Sequence, residues 1–375
     1  MKYRTSFIAL AIIAAIGSFA ALPALSAPLT METGIATFGN SASVVDGGTD
    51  NDATSNDNAS LGSSPIQQFN SSNGVLMGAT VNLSKSTQTQ TTQVTSTDGR
   101  DNGNNKARTS SGTGSSSVAI SAPGVSTTFA LLTQADSCAG YRQQACSDAA
   151  STTSFQTILN QLVPSGSLNS YVGGATVTVA RQAATLTALQ QDDKFNGAKS
   201  TTSTVNWSGE LSATYQYLLH AAPTFGNNAL TLDLDLGTVA QGASIAPRGF
   251  SILNTTGGRV GLDLDSVTPS GNLAQLYADL TGFSALAAGS SKAFFASFNT
   301  ATLGNFLSTY TLNLSDADVG AANSRSNYTM TLNLKGNVAS GSQRLANDVP
   351  EPGMLALASI GLLGLVLIRR RARRT

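Results

Sequence analysis

The sequence predicts a mainly β protein: an N-terminal β-rich domain with one short helix, then a β-sandwich, then a single hydrophobic helix at the C-terminus. Three observations carry this. Apolar and polar residues alternate with period two along extended runs, most clearly from Val205 to Leu219 and from Leu230 to Leu236. Charged residues make up only 11%, and Ser, Thr, Asn, Gln and Gly fill the difference, which suits strands with hydroxyl- and amide-covered surfaces. Helical periodicity is confined to one short internal stretch, and the long apolar runs lie near the two ends.

At the N-terminus, Lys2 and Arg4 precede an apolar stretch from Phe7 to Leu22, followed by Pro23-Ala24-Leu25-Ser26-Ala27. This is the pattern of a secretory signal peptide over residues 1–26, and it implies signal peptidase as a partner. Cleavage after Ser26 leaves Ala24 and Ser26 at the two small positions, whereas cleavage after Ala27 puts Pro28 first. The alternative is a retained anchor helix, for which the apolar run is short. Setting aside Lys2, Arg4 and five C-terminal arginines leaves 14 basic residues of 21 against 21 acidic ones, a body of about −7. With no basic cluster in that body, a nucleic-acid partner is not expected.

Residues 27–220 read as the first domain. From Ala27 to about Gln67 the chain is polar and turn-rich, and Asp46-Gly47-Gly48-Thr49-Asp50-Asn51-Asp52 is its most loop-like piece. Gly74 to Leu83 is a half-buried strand with Val75, Met77, Ala79, Val81 and Leu83 on one face. Ser84 to Ser117 reads either as polar strands joined by a loop over Asp98 to Asn105 or as partly disordered chain. Cys138 and Cys146 are the only cysteines. A near pair in an oxidising compartment reads as one local disulfide, the alternative being two free buried thiols. Phe155, Ile158, Leu159 and Leu162 fall at i, i+3, i+4 and i+7, so a short amphipathic helix is expected, stopped by Pro164. Tyr171 to Val179 returns to β. In the run from Val205 to Leu219, Val205, Trp207, Leu211, Ala213, Tyr215, Tyr217 and Leu219 share one face, and His220 falls on the polar register at its end.

Residues 221–228, Ala221-Ala222-Pro223-Thr224-Phe225-Gly226-Asn227-Asn228, read as a linker. Short strands over 229–340 follow: Leu230 to Leu236, Gly249 to Asn254, Val260 to Val267, Ala293 to Asn299, Phe306 to Leu314 and Tyr328 to Leu334. Six strands with turn signals between them and no helix predict a β-sandwich. Residues 341–348 read as a second linker.

The tail, residues 349–375, is the most specific motif. Val349, Pro350, Glu351 and Pro352 precede an apolar segment containing Gly353, Met354, Leu355, Ile360, Leu363, Leu365, Val366 and Ile368. Arg369, Arg370, Arg371, Arg373 and Arg374 close the chain. The arrangement resembles the PEP-CTERM sorting signal of Gram-negative bacteria, which implies recognition by a membrane-embedded exosortase. From Gly353 to Ile368 a helix would reach roughly 24 Å, against about 30 Å of bilayer hydrocarbon, marginal for a permanent span and adequate for a transient one. The arginines hold the C-terminus at the cytoplasmic face, so the body lies outside the inner membrane. Pro350 and Pro352 keep the triplet extended. The alternative is a plain single-span anchor.

Three pieces of the first domain resemble the choice-of-anchor E domain of exported bacterial proteins. They are Ile66-Gln67-Gln68-Phe69-Asn70 leading into Gly74-Val75-Leu76, then Tyr171-Val172-Gly173-Gly174, and Ala213-Thr214-Tyr215-Gln216-Tyr217. The cysteine loop and the expected helix do not match that pattern. In the second domain, Asp235-Leu236-Gly237-Thr238-Val239, Phe250-Ser251-Ile252-Leu253-Asn254 and Thr331-Leu332-Asn333-Leu334-Lys335-Gly336 look like immunoglobulin-like stalk domains of bacterial surface proteins. That resemblance implies an architecture, not an activity.

Few residues offer catalysis. His220 is the only histidine, no Gly-x-Ser-x-Gly elbow, phosphate loop or His-Glu-x-x-His occurs, and a strand-end surface position is the expectation for His220. Asp46, Asp50, Asp52 and Asp57, and Asp98 with Asp101, are weighed as calcium loops, but they lack EF-hand spacing and read as solvated turns. Asp233/Asp235 and Asp263/Asp265 alternate with leucines and read as outward strand faces. Thr87-Gln88-Thr89-Gln90-Thr91-Thr92 offers a hydroxyl-rich face without a fixed repeat. No cofactor and no metal are expected. The resulting expectation is a non-enzymatic exported surface or matrix protein, anchored first in the inner membrane and associated with exopolysaccharide. The rival is a carbohydrate- or ice-binding module.

Overall fold

The computed structural model describes residues 27–47, 52–97, 108–140, 144–155, 159–191 and 198–340. The signal peptide, the Asp98 to Asn105 loop and the tail lie outside the described residues. The first half contains β1 (Leu29–Glu32), β2 (Ala36–Asp46), β3 (Thr54–Ser55), β4 (Ala59–Gln67), β5 (Val75–Ser96), β6 (Arg108–Ala122), β7 (Val125–Thr128), β8 (Leu132–Gly140), β9 (Cys146–Phe155), β10 (Leu159–Leu162), β11 (Thr176–Gln190) and β12 (Lys199–Leu218). The second contains β13 (Pro223–Phe225), β14 (Thr231–Ala240), β15 (Arg248–Asn254), β16 (Leu262–Gly271), β17 (Leu276–Ala278), β18 (Phe283–Leu286), β19 (Ser291–Phe298), β20 (Gly304–Asp316) and β21 (Asn327–Ala339).

Two six-stranded antiparallel sheets face each other in the first half. In one, β12 and β5 are central, β1 and β2 share the outer side of β12, and β9 and β10 share the outer side of β5. In the other, β11 and β6 are central, flanked by β3 with β4 and by β7 with β8. The alternation read from Val205 onward is the buried register of β12: Val205, Trp207, Leu211, Ala213 and Tyr215 point into the core. A bulge between Gln216 and Tyr217 shifts that register, so Leu218 is buried and Tyr217 only half-buried.

This core is graded along its length. Near the chain crossing to the second half it is apolar: Leu76, Ala79, Val81, Leu83, Trp207, Tyr215, Ile66, Ile120 and Val179. Toward the other end it is filled with amides and hydroxyls, including Gln88, Gln90, Thr92, Ser116, Gln190, Thr201 and Ser203. Across the sheets, Gln88 Nε2 donates to the Ser116 carbonyl (3.0 Å) and Thr201 Oγ1 to Gln190 Oε1 (2.9 Å); within one sheet, Gln90 Nε2 of β5 donates to Ser203 Oγ of β12 (2.9 Å). Gly112 and Gly114 make room for them. A Cβ at Gly112 would lie 1.9 Å from Thr201 Oγ1, and one at Gly114 2.5 Å from Thr92 Oγ1. Residues 84–96 and 108–117 are thus ordered polar strands.

The second half packs a four-stranded sheet, β13-β15-β19-β17, against a five-stranded one, β14-β21-β20-β16-β18, in which only β14 and β21 run parallel. Ile252, Phe294 and Leu276 from the first meet Leu234, Leu264, Leu312, Met330 and Leu332 from the second. It is the predicted β-sandwich, and all six expected strands fall within or overlap its elements.

Two expectations need correction. The residues expected as a helix are strands: Phe155 ends β9 and Leu159–Leu162 is β10, while Ile158 lies outside the described residues. Phe155 and Leu162 are 81% and 67% exposed, so their apolar spacing marks an outward edge and not a helical core stripe. The helices described in this half are short 3₁₀ turns instead, Ser71–Asn73 just before β5 and Ser165–Tyr171 after Pro164. The expected linker 221–228 contains β13, whose three residues are all buried and pair with Ile252 to Asn254 of β15. Phe225, which has no exposure, anchors the second core and leaves no free spacer.

Cys138 and Cys146 form a disulfide with Cα atoms 5.7 Å apart. It joins β8 of one sheet to β9 of the other, at the polar end of the core. Closing so short a loop should contribute about 2–3 kcal/mol in the chain-entropy model. Replacing both cysteines by serine should therefore lower the urea unfolding free energy by about that amount; identical unfolding curves would refute the contribution.

Candidate functional site

The densest polar cluster lies where the two sandwiches meet. β12 ends at Leu218, the chain continues through Leu219 and His220, and β13 begins at Pro223. Leu219 is held by a parallel bridge to Arg259 and exchanges backbone hydrogen bonds with Gly258 and Val260. His220 is therefore not on an outer strand face, as the alternation suggests, but is turned into the junction, with its side chain 19% exposed.

Asp316, at the end of β20, has no exposure and accepts four hydrogen bonds. Oδ1 accepts from the Ala221 amide (2.8 Å) and the Tyr328 hydroxyl (2.8 Å). Oδ2 accepts from the Ser326 amide (2.8 Å) and faces His220 Nδ1 at 2.7 Å. The other ring nitrogen, Nε2, lies 2.6 Å from the Ser71 carbonyl of the first sandwich and 3.4 Å from Ser326 Oγ. Arg259 donates to the His220 carbonyl at 2.9 Å, and Arg325 donates to the Asp316 carbonyl.

Burial pushes the Asp316 carboxyl upward, but the bonds from His220, the Ser326 and Ala221 amides and Tyr328 outweigh it and hold the group below the ordinary carboxylate value. The hydrogen bond to Asp316 holds the His220 imidazole above its ordinary value against the opposing effect of burial, and the Ser71 carbonyl adds to the rise. Burial, then the neighbouring carboxylate, raises the Tyr328 hydroxyl.

Serine, histidine and aspartate thus stand in hydrogen-bonding order, but the chemistry of a nucleophile does not follow. A general base needs a free lone pair on Nε2, and that nitrogen is directed at a carbonyl oxygen 0.8 Å nearer than Ser326 Oγ (2.6 against 3.4 Å). The arrangement instead ties four chain segments together. Around it, the Ala321 amide donates to the Leu76 carbonyl (2.8 Å) and the Leu76 amide to Ser324 Oγ (2.9 Å). Val75 and Leu218 of the first sandwich join the second core, and Ala321 joins the first.

The other sequence candidates separate. Asp46 is buried and accepts from the Gln190 amide (2.6 Å) and the Thr54 hydroxyl (3.0 Å), and Asp57 accepts from the Leu186 amide (3.0 Å). These carboxylates brace strands. Asp52 is exposed, and Asp50, Asp98 and Asp101 lie outside the described residues. Asp233 accepts from Asn333 Nδ2, Asp235 pairs with Lys335 at 3.2 Å, and Asp263 accepts from the Ala285 amide. Asp235 is held below the ordinary value by the Gly237 amide and then by Lys335.

The Thr87 to Thr92 segment divides by face. Gln88, Gln90 and Thr92 are buried, while Thr87, Thr89 and Thr91 lie on the outer face of β5. There they align in cross-strand rows, Ser41–Asn206–Thr89–Thr153 and Ser43–Thr204–Thr91–Ser151. Hydroxyls bond along the rows, Thr89 to Thr153 at 3.1 Å and Thr91 to Ser151 at 2.8 Å. No charged residue belongs to these two rows. A shallow depression of about 280 Å³ opens beside them, lined by Gly39, Ser41, Thr87, Thr89, Asn206 and Ser208.

The sorting residues Val349 to Pro352, the apolar segment and the arginines lie outside the described residues, which end at Ser340, directly after β21. Among the described residues no helix is long and apolar enough to cross a membrane. β21 begins beside Asp316 and Tyr328 at the junction and runs 13 residues away from it, so its end at Ala339 lies at the pole of the second sandwich opposite the first.

Replacing Asp316 by alanine would leave the His220 ring, a hydroxyl and two amides without their acceptor. A loss of about 3–5 kcal/mol in unfolding free energy is expected, measurable by denaturant titration with circular dichroism; a loss under about 1 kcal/mol would show that the cluster does not hold the junction.

Residues 348–371 match the family model for the PEP-CTERM protein-sorting motif, 24 residues of the chain. No curated protein matches the chain. The chain thus carries a PEP-CTERM sorting motif, which implies export, membrane-anchored transit in a Gram-negative bacterium and exosortase processing.

Proposed function

We propose that this chain is a non-enzymatic surface or matrix protein, delivered across the inner membrane by signal peptidase and exosortase and retained with envelope or exopolysaccharide. The sorting motif at residues 348–371 is the observation that carries the reading. A disulfide between two sheets suits an oxidising exterior. The engagement of both His220 nitrogens supports the absence of catalysis at the one histidine. While the tail is inserted, the second sandwich stands next to the membrane and the first beyond it, because β21 delivers the chain to the pole away from the junction. In this reading the first sandwich has a choice-of-anchor E-like role and the second is an immunoglobulin-like stalk.

The second reading, a carbohydrate- or ice-binding module on the envelope, is favoured by the uncharged hydroxyl rows on the outer face of β5. Retention of the mature protein by a neutral polysaccharide, abolished by Thr89→Lys without loss of fold, would select it over the matrix-scaffold reading.

For the sorting step, Glu351→Ala should leave unprocessed precursor in the inner membrane while the body folds normally. Mass spectrometry of the mature wild-type protein should find the arginines from Arg369 onward removed. Mature protein that still carries them would overturn exosortase processing.

A further inference from the structure

We propose that the proton on His220 is a latch between the two sandwiches. With both ring nitrogens protonated the imidazole bridges Asp316 and Ser71, and its loss at alkaline pH releases the Ser71 carbonyl and loosens the junction.

Both groups facing the ring are oxygen acceptors, a carboxylate 2.7 Å from Nδ1 and a carbonyl 2.6 Å from Nε2. A neutral imidazole carries one N–H and one lone pair. Either neutral tautomer must therefore direct a lone pair at an oxygen within hydrogen-bonding distance. With the proton kept on Nδ1 for the buried carboxylate, the conflict falls on Ser71, whose segment belongs to the first sandwich. The imidazolium satisfies both contacts at once.

The surrounding charges leave this preference in place. From β20, Asp316 faces the ring, and Asp318, just after that strand, lies exposed 3.9 Å from Arg325. Arg259, on the loop that bridges to Leu219, opposes the proton, but its guanidinium is directed to the His220 and Thr256 carbonyls. Arg325 is directed to the Asp316 carbonyl and lies 3.8 Å from Asp263 of β16. Tyr328 of β21 donates to Asp316. The Ser71–Asn73 helix and the neighbouring start of β5 contain no titratable side chain.

The sign of the linkage is fixed by these contacts. His220 titrates above its ordinary value in the closed junction, so its contribution is full below that value and disappears as pH rises through the higher one. Asp316 titrates below its ordinary value, so its contribution disappears as pH falls through the lower one. The junction is tightest between the two.

One histidine in the whole chain makes the test clean. In the full chain labelled with ¹⁵N-histidine, in detergent, both ring nitrogens should be protonated at neutral pH, with a titration midpoint above the ordinary value of about 6.5. Hydrogen exchange of the segments holding Leu76 and Ala321, corrected for intrinsic rates, should accelerate through that same midpoint. The acceleration should be about tenfold for each unit by which the midpoint exceeds the ordinary value. His220→Gln, checked for fold by circular dichroism, should lose the pH step. A neutral ring at pH 7, or junction exchange that shows no step as the wild-type ring titrates, would overturn the latch; both readouts use unmodified protein and do not depend on any variant folding.

Discussion

A carboxylate removed from water must have its lone pairs filled, and Asp316 meets that requirement with four donors from two parts of the chain, residues 220–221 and 326–328. The Ala221 amide just before β13, the Ser326 amide before β21, the Tyr328 hydroxyl on β21 and the His220 ring after β12 all converge on it. Desolvating a carboxylate costs several kcal/mol, so the site is tolerated only with all of these in place. Their convergence fixes where the first sandwich ends relative to the beginning of the second. Once it is fixed, Leu76 can pair with Ala321, and Val75 and Leu218 can enter the second core. The two sandwiches share side chains across their boundary and are not connected by a spacer.

The interior of the first sandwich shows how a chain with so few charges still specifies one register. Its apolar half follows the hydrophobic rule and needs only alternation. Its far half is packed with glutamine, serine and threonine, where each hydrogen bond contributes about 0.5–1.5 kcal/mol net but an unpaired group costs more. Gln88 and Gln90 each leave their Oε1 without a protein partner, so this half favours specificity over strength. The cross-sheet disulfide sits at that weaker end, where covalent closure has most to add.

Strand alternation was legible wherever apolar residues marked the buried face, as in β12, β20 and β21. It was less legible in β5 beyond Ser84, because a polar residue gives no sign of which way it faces; only the partner glycines, Gly112 and Gly114, hint at an interior that must accommodate larger side chains opposite. The spacing of Phe155, Leu159 and Leu162 failed for a related reason. Two short edge strands with outward apolar residues mimic a helical period when the break between them is unseen. Pro223-Thr224-Phe225 was mistaken for a linker since three residues carry no period, and burial of Phe225 depends on strands far away in sequence. His220 was misplaced by a backbone that leaves strand geometry at Leu219; its acceptors lie 149 and 96 residues away, at Ser71 and Asp316, beyond the reach of local pattern. The sorting motif, in contrast, is a linear signal, and its presence was legible from the order of its residues alone.

The proposed matrix role asks for weak contacts multiplied over many molecules, and the two ends of the molecule divide that work. The outer rows of β5 already spend part of their hydrogen-bonding capacity on one another, Thr89 with Thr153 and Thr91 with Ser151. In each pair the donating hydroxyl keeps two acceptor lone pairs for the outside and the accepting one keeps its donor and one lone pair. In the proposed role one such face would hold a hydrated polymer only loosely, since each of these bonds is made in competition with water. While the tail is inserted it would concentrate copies on a single membrane surface, which raises effective concentration without requiring a deeper pocket. A rigid junction then matters more than a site does: avidity survives only if every copy presents the same face at the same distance from the membrane. Flexible spacing would spread those faces over a range of heights and dilute the gain, so the shared cores and the bridge through His220 are where a scaffold of this kind would invest its specificity.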